Sequence, residues 1–364
     1  MITRSEEDIV KGWKNTDKNP LVTILCQTYN QEQFISQALD SFLMQETDFA
    51  FEVIVRDDAS TDTTSDIIRK YCLNYPNIIK PIFELENQWS QGVKLIPSEL
   101  PRIMKGVDSK YLALCDGDDY WTDSLKLKKQ ISFLEKNSEF VGSAHASVYL
   151  RNGQNAELAS QNIHNKDVYT FEEYLGNCYF QTSSWVYRYD TNFRSLINGY
   201  FYGGCGGDVY MTLAFMTLGP VKYFDEVMSV WRVHDKGEWS KNSADHQTIE
   251  ILAALVDYAY KFDEKYKYKF YEQFYYTIKN ISSEAFSKLV IENYQSKDIQ
   301  KIITMLATVI IDSDGPINKI IDSRESTIKE CNEYIRTLKE SLELERNKSI
   351  IRILKSRVLN LFKK

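Results

Sequence analysis

Three carboxylates crowd a single glycine in the stretch Lys110-Tyr111-Leu112-Ala113-Leu114-Cys115-Asp116-Gly117-Asp118-Asp119-Tyr120-Trp121, and no other stretch constrains the fold as much. A short apolar run with the pattern of a buried strand leads straight into it, and an aromatic pair closes the turn. Like charges a few ångströms apart repel by roughly 1 kcal/mol in bulk water and by more against a protein wall. A divalent cation removes that cost, and Mg²⁺ or Mn²⁺ typically takes one or two carboxylates plus substrate phosphates. A strand ending in acids fits an open α/β sheet, whose ligands bind beyond the carboxyl ends of its strands. The competing reading is a solvated acidic turn in which Asp119 or Asp123 merely caps a helix beginning near Ser124.

The chain before this stretch alternates strand and helix. A polar lead occupies residues 1–19, and a β-rich run over 20–26 ends in Gln27-Thr28-Tyr29-Asn30. Phe34, Ile35, Ala38, Leu39, Phe42 and Leu43 follow at helical spacing. A second strand over 51–56 runs into Asp57-Asp58-Ala59-Ser60-Thr61-Asp62, whose side chains offer an N-cap to a helix carrying Ile67, Ile68 and Tyr71. A third strand over 78–83 and a helix within 92–105 complete the approach. The alternation predicts a mainly parallel sheet with right-handed crossovers.

Val22-Thr23-Ile24 with Tyr29-Asn30, then Val53-Ile54-Val55-Arg56-Asp57-Asp58-Ala59-Ser60-Thr61-Asp62, then Leu114-Cys115-Asp116-Gly117-Asp118-Asp119-Tyr120-Trp121 make a series that resembles the family 2 glycosyltransferases with the GT-A fold. The resemblance covers about residues 20–240 and implies an inverting transferase that uses a UDP-sugar and Mn²⁺ or Mg²⁺. It implies that Asp58 reads the uracil edge, with Gln27 and Tyr29 beside the base. It implies Asp116 near the ribose or the cation's waters and Asp118 on the cation. Asp119 and Trp121 then fall in the vicinity of the diphosphate or the acceptor. The alternative from the residues alone is a turn-forming aspartate at Asp58 and a rim aromatic at Tyr29. Residues 87–100 lack the usual Asn-x-Gly element of such enzymes.

Beyond Trp121, residues 123–134 form an amphipathic helical pattern whose lysines are expected on a solvated face. A strand over 140–150 carries His145, read as a core histidine, and the polar stretch 151–168 reads as a loop shaping the acceptor site. A strand over 182–188 precedes a glycine-rich turn over 203–207 and then Asp208, at the start of a helix over 209–218. The resemblance makes Asp208 the general base; its alternative is a bare helix cap. Residues 223–234 read as a strand delivering Arg232 and His234. Through the resemblance these two lie beside the diphosphate, with His234 on the cation or a phosphate; the alternative for Arg232 is a pair with a structural carboxylate.

From Asp245 the pattern is helical. Ile321, Ile328, Ile335 and Leu342 repeat as heptads short enough for a hairpin or a homodimer seam. After Glu345 no acid remains, and basic residues alternate with apolar ones over 346–364. That tail suits an anionic membrane surface, or else packs on the protein.

The expected organisation is therefore a lead over 1–19 and a GT-A domain over 20–240, with nucleotide-sugar residues in 20–121 and acceptor and catalytic residues in 122–240. A helical region over 241–345 and a basic tail over 346–364 follow. With 43% hydrophobic residues, 26% charged residues and a net charge of −7, the chain reads as an ordinary globular protein with no nucleic-acid footprint. Cys26, Cys72, Cys115, Cys178, Cys205 and Cys331 show no zinc spacing and read as reduced thiols. No signal peptide or spanning segment is legible, so a cytoplasmic protein, peripheral on the inner face of the cell membrane, is expected. The acceptor expected is a glycan, polyprenyl-linked as in surface polysaccharide assembly. The alternatives are a soluble or protein acceptor and a catalytically silent GT-A module that only binds.

Overall fold

The computed structural model describes residues 4–14, 19–91, 99–151, 154–158, 166–177, 180–200, 207–237, 239–240, 242–279, 281, 301–302 and 305. The glycine run at 203–206, the heptad positions from 321 to 342, the basic tail over 346–364, and Cys178, Cys205 and Cys331 lie outside the described residues. The chain divides into two compact units, one of residues 1–203 and 207–241 and one of residues 204–206 and 242–364.

The first unit begins with α1 (Glu6–Val10), β1 (Val22–Thr28), α2 (Ile35–Leu43), β2 (Phe51–Asp57), α3 (Thr64–Asn74) and β3 (Ile79–Phe83). There follow α4 (Leu100–Ile103), β4 (Tyr111–Leu114), β5 (Tyr120–Trp121), α5 (Lys126–Lys136), β6 (Gly142–Arg151), β7 (Gln154–Leu158) and β8 (Val168–Tyr169). Then come α6 (Phe171–Asn177), β9 (Val186–Arg188), α7 (Thr191–Tyr200), α8 (Gly207–Met216) and β10 (Val221–Val233). The strands form one sheet in the order β3-β2-β1-β4-β9-β6-β10-β5, with β7 on β6 and β8 on β10. Strands β3, β2, β1 and β4 pair in parallel, as do β6 and β10, whereas β9 runs antiparallel to both its neighbours. The sheet is thus mixed, with its parallel half where strand-helix alternation predicted it.

Local chemistry explains the arrangement. All four residues of β4 are buried, as a central strand covered on both faces requires. Pro81 falls in β3, at the end of the strand order, where a missing N–H is tolerated. Helix α2 buries Ile35, Ala38, Leu39, Phe42 and Leu43 on one face. They pack with Ile24, Val53, Trp121, Leu127 and Ile131 in one core.

Three expectations are corrected. Residues 182–188 are not one strand: a 3₁₀ turn, Thr182–Ser184, precedes the short β9. The stretch after Arg151 is not all loop, since β7 pairs with β6 and β8 with β10. The lysines of α5 do not all face solvent, because Lys126 has no exposed surface. Lys126, Gln130 and Leu134 follow one another at helical spacing along the buried stripe, and charge alone did not reveal which face Lys126 occupies.

The second unit holds α9 (Ala244–Lys261) and α10 (Glu264–Lys279). Ser243 caps α9, its hydroxyl accepting from the His246 N–H at 3.2 Å. Tyr258, Phe262 and Phe270 pin the two helices together, with ring centroids 5.3 to 6.1 Å apart.

Candidate active site

The parallel strands β1, β2 and β4 end side by side, which brings together residues distant in sequence. Near the end of β1 Gln27 is partly exposed, and just past the strand Tyr29 is 41% exposed. Past β2, the buried Asp58 donates its backbone N–H to the Thr28 carbonyl at 3.0 Å, so it sits against the end of β1. Its carboxylate accepts from the Arg56 guanidinium and from the backbone N–H groups of Gln88 and Trp89, each at 3.0 Å. Arg56 also donates to Glu84 at 2.8 Å. Asp58 is therefore no free turn aspartate: it anchors the 87–89 segment at the end of β2.

Past β4, the Gly117 N–H reaches the Gln27 carbonyl at 2.7 Å. A Cβ on Gly117 would stand 2.5 Å from Gln31 Oε1 and 2.9 Å from Thr28 Oγ1, so only glycine lets this turn press on β1. Both of those oxygens are buried without a hydrogen-bond partner among the described residues. Around this glycine, oxygens of Asp116, Asp118 and Asp119 lie within 4.8 Å of one another. Burial, then Asp118 and Asp208, raise Asp116 to about 7. Burial, then Asp118 and Asp116, push Asp119 well above the usual carboxylate range. Arg232 lies close enough to interact with Asp118 and Asp119, yet Asp116 and Asp119 both stay raised, and that is the condition a cation corrects.

The end of β10 closes the cluster. His234 Nε2 stands 3.1 Å from Asp118 Oδ2. Two atoms bound side by side to one octahedral cation at about 2.1 Å would be about 3 Å apart, so this pair fits a shared ion. The oxygen-rich set with one imidazole suits Mn²⁺ or Mg²⁺. The Phe34 ring packs on His234 with centroids 4.8 Å apart. Arg232 is committed to holding the turn: its backbone N–H donates to Asp119 Oδ1 at 2.8 Å, and its guanidinium donates to the Asp118 carbonyl and to Gln37. That guanidinium lies 4.3 Å from the Tyr120 ring centroid. Trp121 is only 1% exposed, and its indole N–H donates to the Ser183 carbonyl at 2.9 Å, which places it in the core beneath the cluster.

Asp208 lies in the first turn of α8, and its Oδ2 accepts from the Thr182 hydroxyl at 3.2 Å. One residue earlier, Gln181 donates its amide N–H to Asp119 Oδ2 at 3.3 Å. No site role was read in the sequence for Thr182, Gln181, Phe34 or Arg56: Thr182 was expected in a strand, Phe34 in a helix and Arg56 as part of the 53–62 motif, and only the fold brings their side chains to the site. His145 is fully buried, its Nδ1 2.8 Å from the Ala146 carbonyl, and burial drives its pKa well below the ordinary value.

Known proteins resemble this chain in sequence and in fold. Residues 23–192 match the model of the family described as Glycosyl transferase family 2. An uncharacterized protein of Mycobacterium tuberculosis is 32% identical over 247 residues, which is 65% of this chain and 68% of that protein. The Escherichia coli protein UDP-Glc:alpha-D-GlcNAc-diphosphoundecaprenol beta-1,3-glucosyltransferase WfaP is 35% identical over 122 residues, 33% of this chain and 43% of its own. Among solved structures, S. aureus TarS 1-349 superposes with a TM-score of 0.51 over 88% of each chain at 15% identity, a likeness of fold.

Proposed function

Because this chain belongs to glycosyl transferase family 2, we propose that it moves a sugar from a UDP-sugar to a glycan acceptor by a single inverting displacement, in surface polysaccharide assembly. One observation carries the reading. The Asp116, Asp118 and Asp119 oxygens converge within 4.8 Å, while Asp208, on a different element, is near enough to help raise Asp116.

Tyr29 and Gln27 take the base. A carboxylate has about four acceptor positions, and three donors already occupy Asp58, so one remains for the imide N–H of uracil. Asp118 and His234 hold the divalent cation, with Asp116 toward the ribose. Such a cation supplies Lewis-acid neutralisation of the charge on the departing diphosphate. Asp119 and Arg232 keep the turn in shape. Asp208 accepts the proton of the acceptor hydroxyl as that oxygen bonds to the anomeric carbon, opposite the breaking bond to the diphosphate. The electron pair of the broken bond leaves on UDP, and inversion follows.

The name of the Escherichia coli relative describes a glucosyl transfer to a diphosphoundecaprenol-linked sugar, which favours a lipid-linked acceptor here. No helix among the described residues is long and apolar enough to cross a membrane, so attachment at the inner face would fall to the tail over 346–364.

The test is UDP, GDP or dTDP release from a panel of nucleotide sugars, with Mn²⁺ or with EDTA. The expected result is Mn²⁺-dependent release from a UDP-sugar, abolished by Asp118→Ala and lowered about 100- to 10,000-fold by Asp208→Asn. Release that EDTA leaves untouched would overturn the cation's role. No turnover and no calorimetric UDP-Mn²⁺ binding would leave the silent binding module.

A further inference from the structure

Four consecutive residues, Gln181 to Ser184, tie the site's separate walls together. Gln181 is only 5% exposed, and its amide N–H holds Asp119 Oδ2 at 3.3 Å. The Thr182 hydroxyl holds Asp208 Oδ2 at 3.2 Å. The Ser183 hydroxyl donates to Ser229 Oγ of β10 at 2.9 Å, and its carbonyl accepts the Trp121 indole N–H at 2.9 Å. The Ser184 carbonyl accepts from Gln130 of α5 at 3.0 Å.

Adjacent residues thus grip one carboxylate of the acidic turn and one carboxylate of α8. A single peptide unit links the two grips, so the separation of the two carboxylates is set by the turn and not by the long path through β5, β6 and β9. The turn also tolerates a cost: Gln181 Oε1 is buried with no partner among the described residues, which is unfavourable for a buried acceptor. The side chain nevertheless keeps its donor on Asp119.

We propose that the 181–184 turn is a positioning element for sugar transfer, in which Thr182 aims the Asp208 carboxylate while Gln181 fixes its distance from the acidic cluster. This rests on the proposed role of Asp208. With Oδ2 engaged by Thr182, Oδ1 is the atom presented to the incoming hydroxyl. Because a misplacement of about 1 Å can cost about 100-fold in rate, losing the Thr182 hydroxyl should lower the chemical step and spare donor binding.

The experiment uses the full chain, Mn²⁺ and the UDP-sugar found in the panel, with water as acceptor, so that UDP release is read without a glycan. Thr182→Val is compared with Thr182→Ser and Asp208→Asn, with KM for donor and calorimetric UDP-Mn²⁺ affinity measured for each. The expected result is a kcat lowered about 10- to 100-fold in Thr182→Val, KM and UDP affinity within about twofold of wild type, and kcat largely restored in Thr182→Ser. A Thr182→Val enzyme with wild-type kcat overturns the inference while leaving the function standing, provided Asp208→Asn is inactive. An active Asp208→Asn enzyme overturns the base assignment itself, and the inference falls with it. Equal losses in the valine and serine variants, with weakened UDP binding, would mean the turn is only structural.

Discussion

Asp116 and Lys126 are both held near pH 7 by the fold, from opposite sides. Asp116 is raised from 3.8 to about 7, by burial first and then by its acidic neighbours. Unfolded chains bind fewer protons at this site than folded ones between those values, so its contribution to stability is full below pH 3.8 and is lost as pH rises through 7. Lys126 is lowered from 10.5 to about 7, chiefly by burial. Its window is the alkaline one, and there stability rises with pH from 7 to 10.5. Its Nζ has a partial substitute for water in Gln130 Oε1 at 2.9 Å and the Trp121 ring centroid at 4.1 Å. The metal-free protein should therefore be least stable near pH 7 as far as these two groups decide. Thermal denaturation in EDTA from pH 5 to 10 should show Asp116→Asn melting above wild type at pH 8 although its turnover is lost, and Lys126→Met flattening the alkaline rise. Each tenfold change in a group's proton affinity is worth about 1.4 kcal/mol, so the lysine's effect is on the order of a few kcal/mol. An Asp116→Asn protein less stable than wild type at pH 8 would contradict the view that the cluster stores repulsion for a cation.

Strand ends and turns carry most of the chemistry. Strands β1, β2 and β4 were legible because each is a short apolar run ended by polar residues, and the convergence of the three carboxylates because they flank one glycine directly after β4. The turn at 181–184 was not legible. Thr182, Ser183 and Ser184 have strand-compatible composition, and only their tertiary partners, Asp208, Ser229 and Gln130, select a 3₁₀ turn. Lys126 was misread for a related reason: its partner Gln130 is one helical turn away, and a pattern of charges does not record such pairing. At Gly117 sequence and structure agree closely enough for a sharp prediction. A Cβ there would meet Gln31 Oε1 at 2.5 Å and both Thr28 Cβ and Oγ1 at 2.9 Å. The far end of Gln31 can move, but Thr28 belongs to β1 and cannot follow. Gly117→Ala should shift the acidic turn away from β1 and lower Mn²⁺-dependent UDP release by about 10- to 100-fold, with a higher Mn²⁺ requirement. A Mn²⁺ titration of turnover that superposes on wild type would show that the turn has slack the geometry does not suggest.

Over the whole molecule, the sheet order does what no local pattern could. It sets β4 beside β1 and β10 beside β5, so that Asp118 and His234, 116 positions apart, stand 3.1 Å from one another. A site assembled from such distant segments exists only in the folded state, and a ligand that needs all of them must stabilise the fold by linkage. At about 100 times its dissociation constant that gain is about 2.7 kcal/mol. On the proposed function the cation and the nucleotide should stabilise together more than either does alone, because a diphosphate would complete the shell of a cation that would itself offset the repulsion among the three carboxylates. Thermal denaturation should therefore show a small shift with Mn²⁺, a small shift with UDP plus EDTA, and a larger-than-additive shift with both. Asp118→Ala should remove the excess while keeping the shift with UDP alone, since Asp58 and Tyr29 are untouched. Strictly additive shifts in the wild-type protein would mean that cation and nucleotide occupy separate places, and the acidic turn would then have to be read as a structural cluster apart from the donor site.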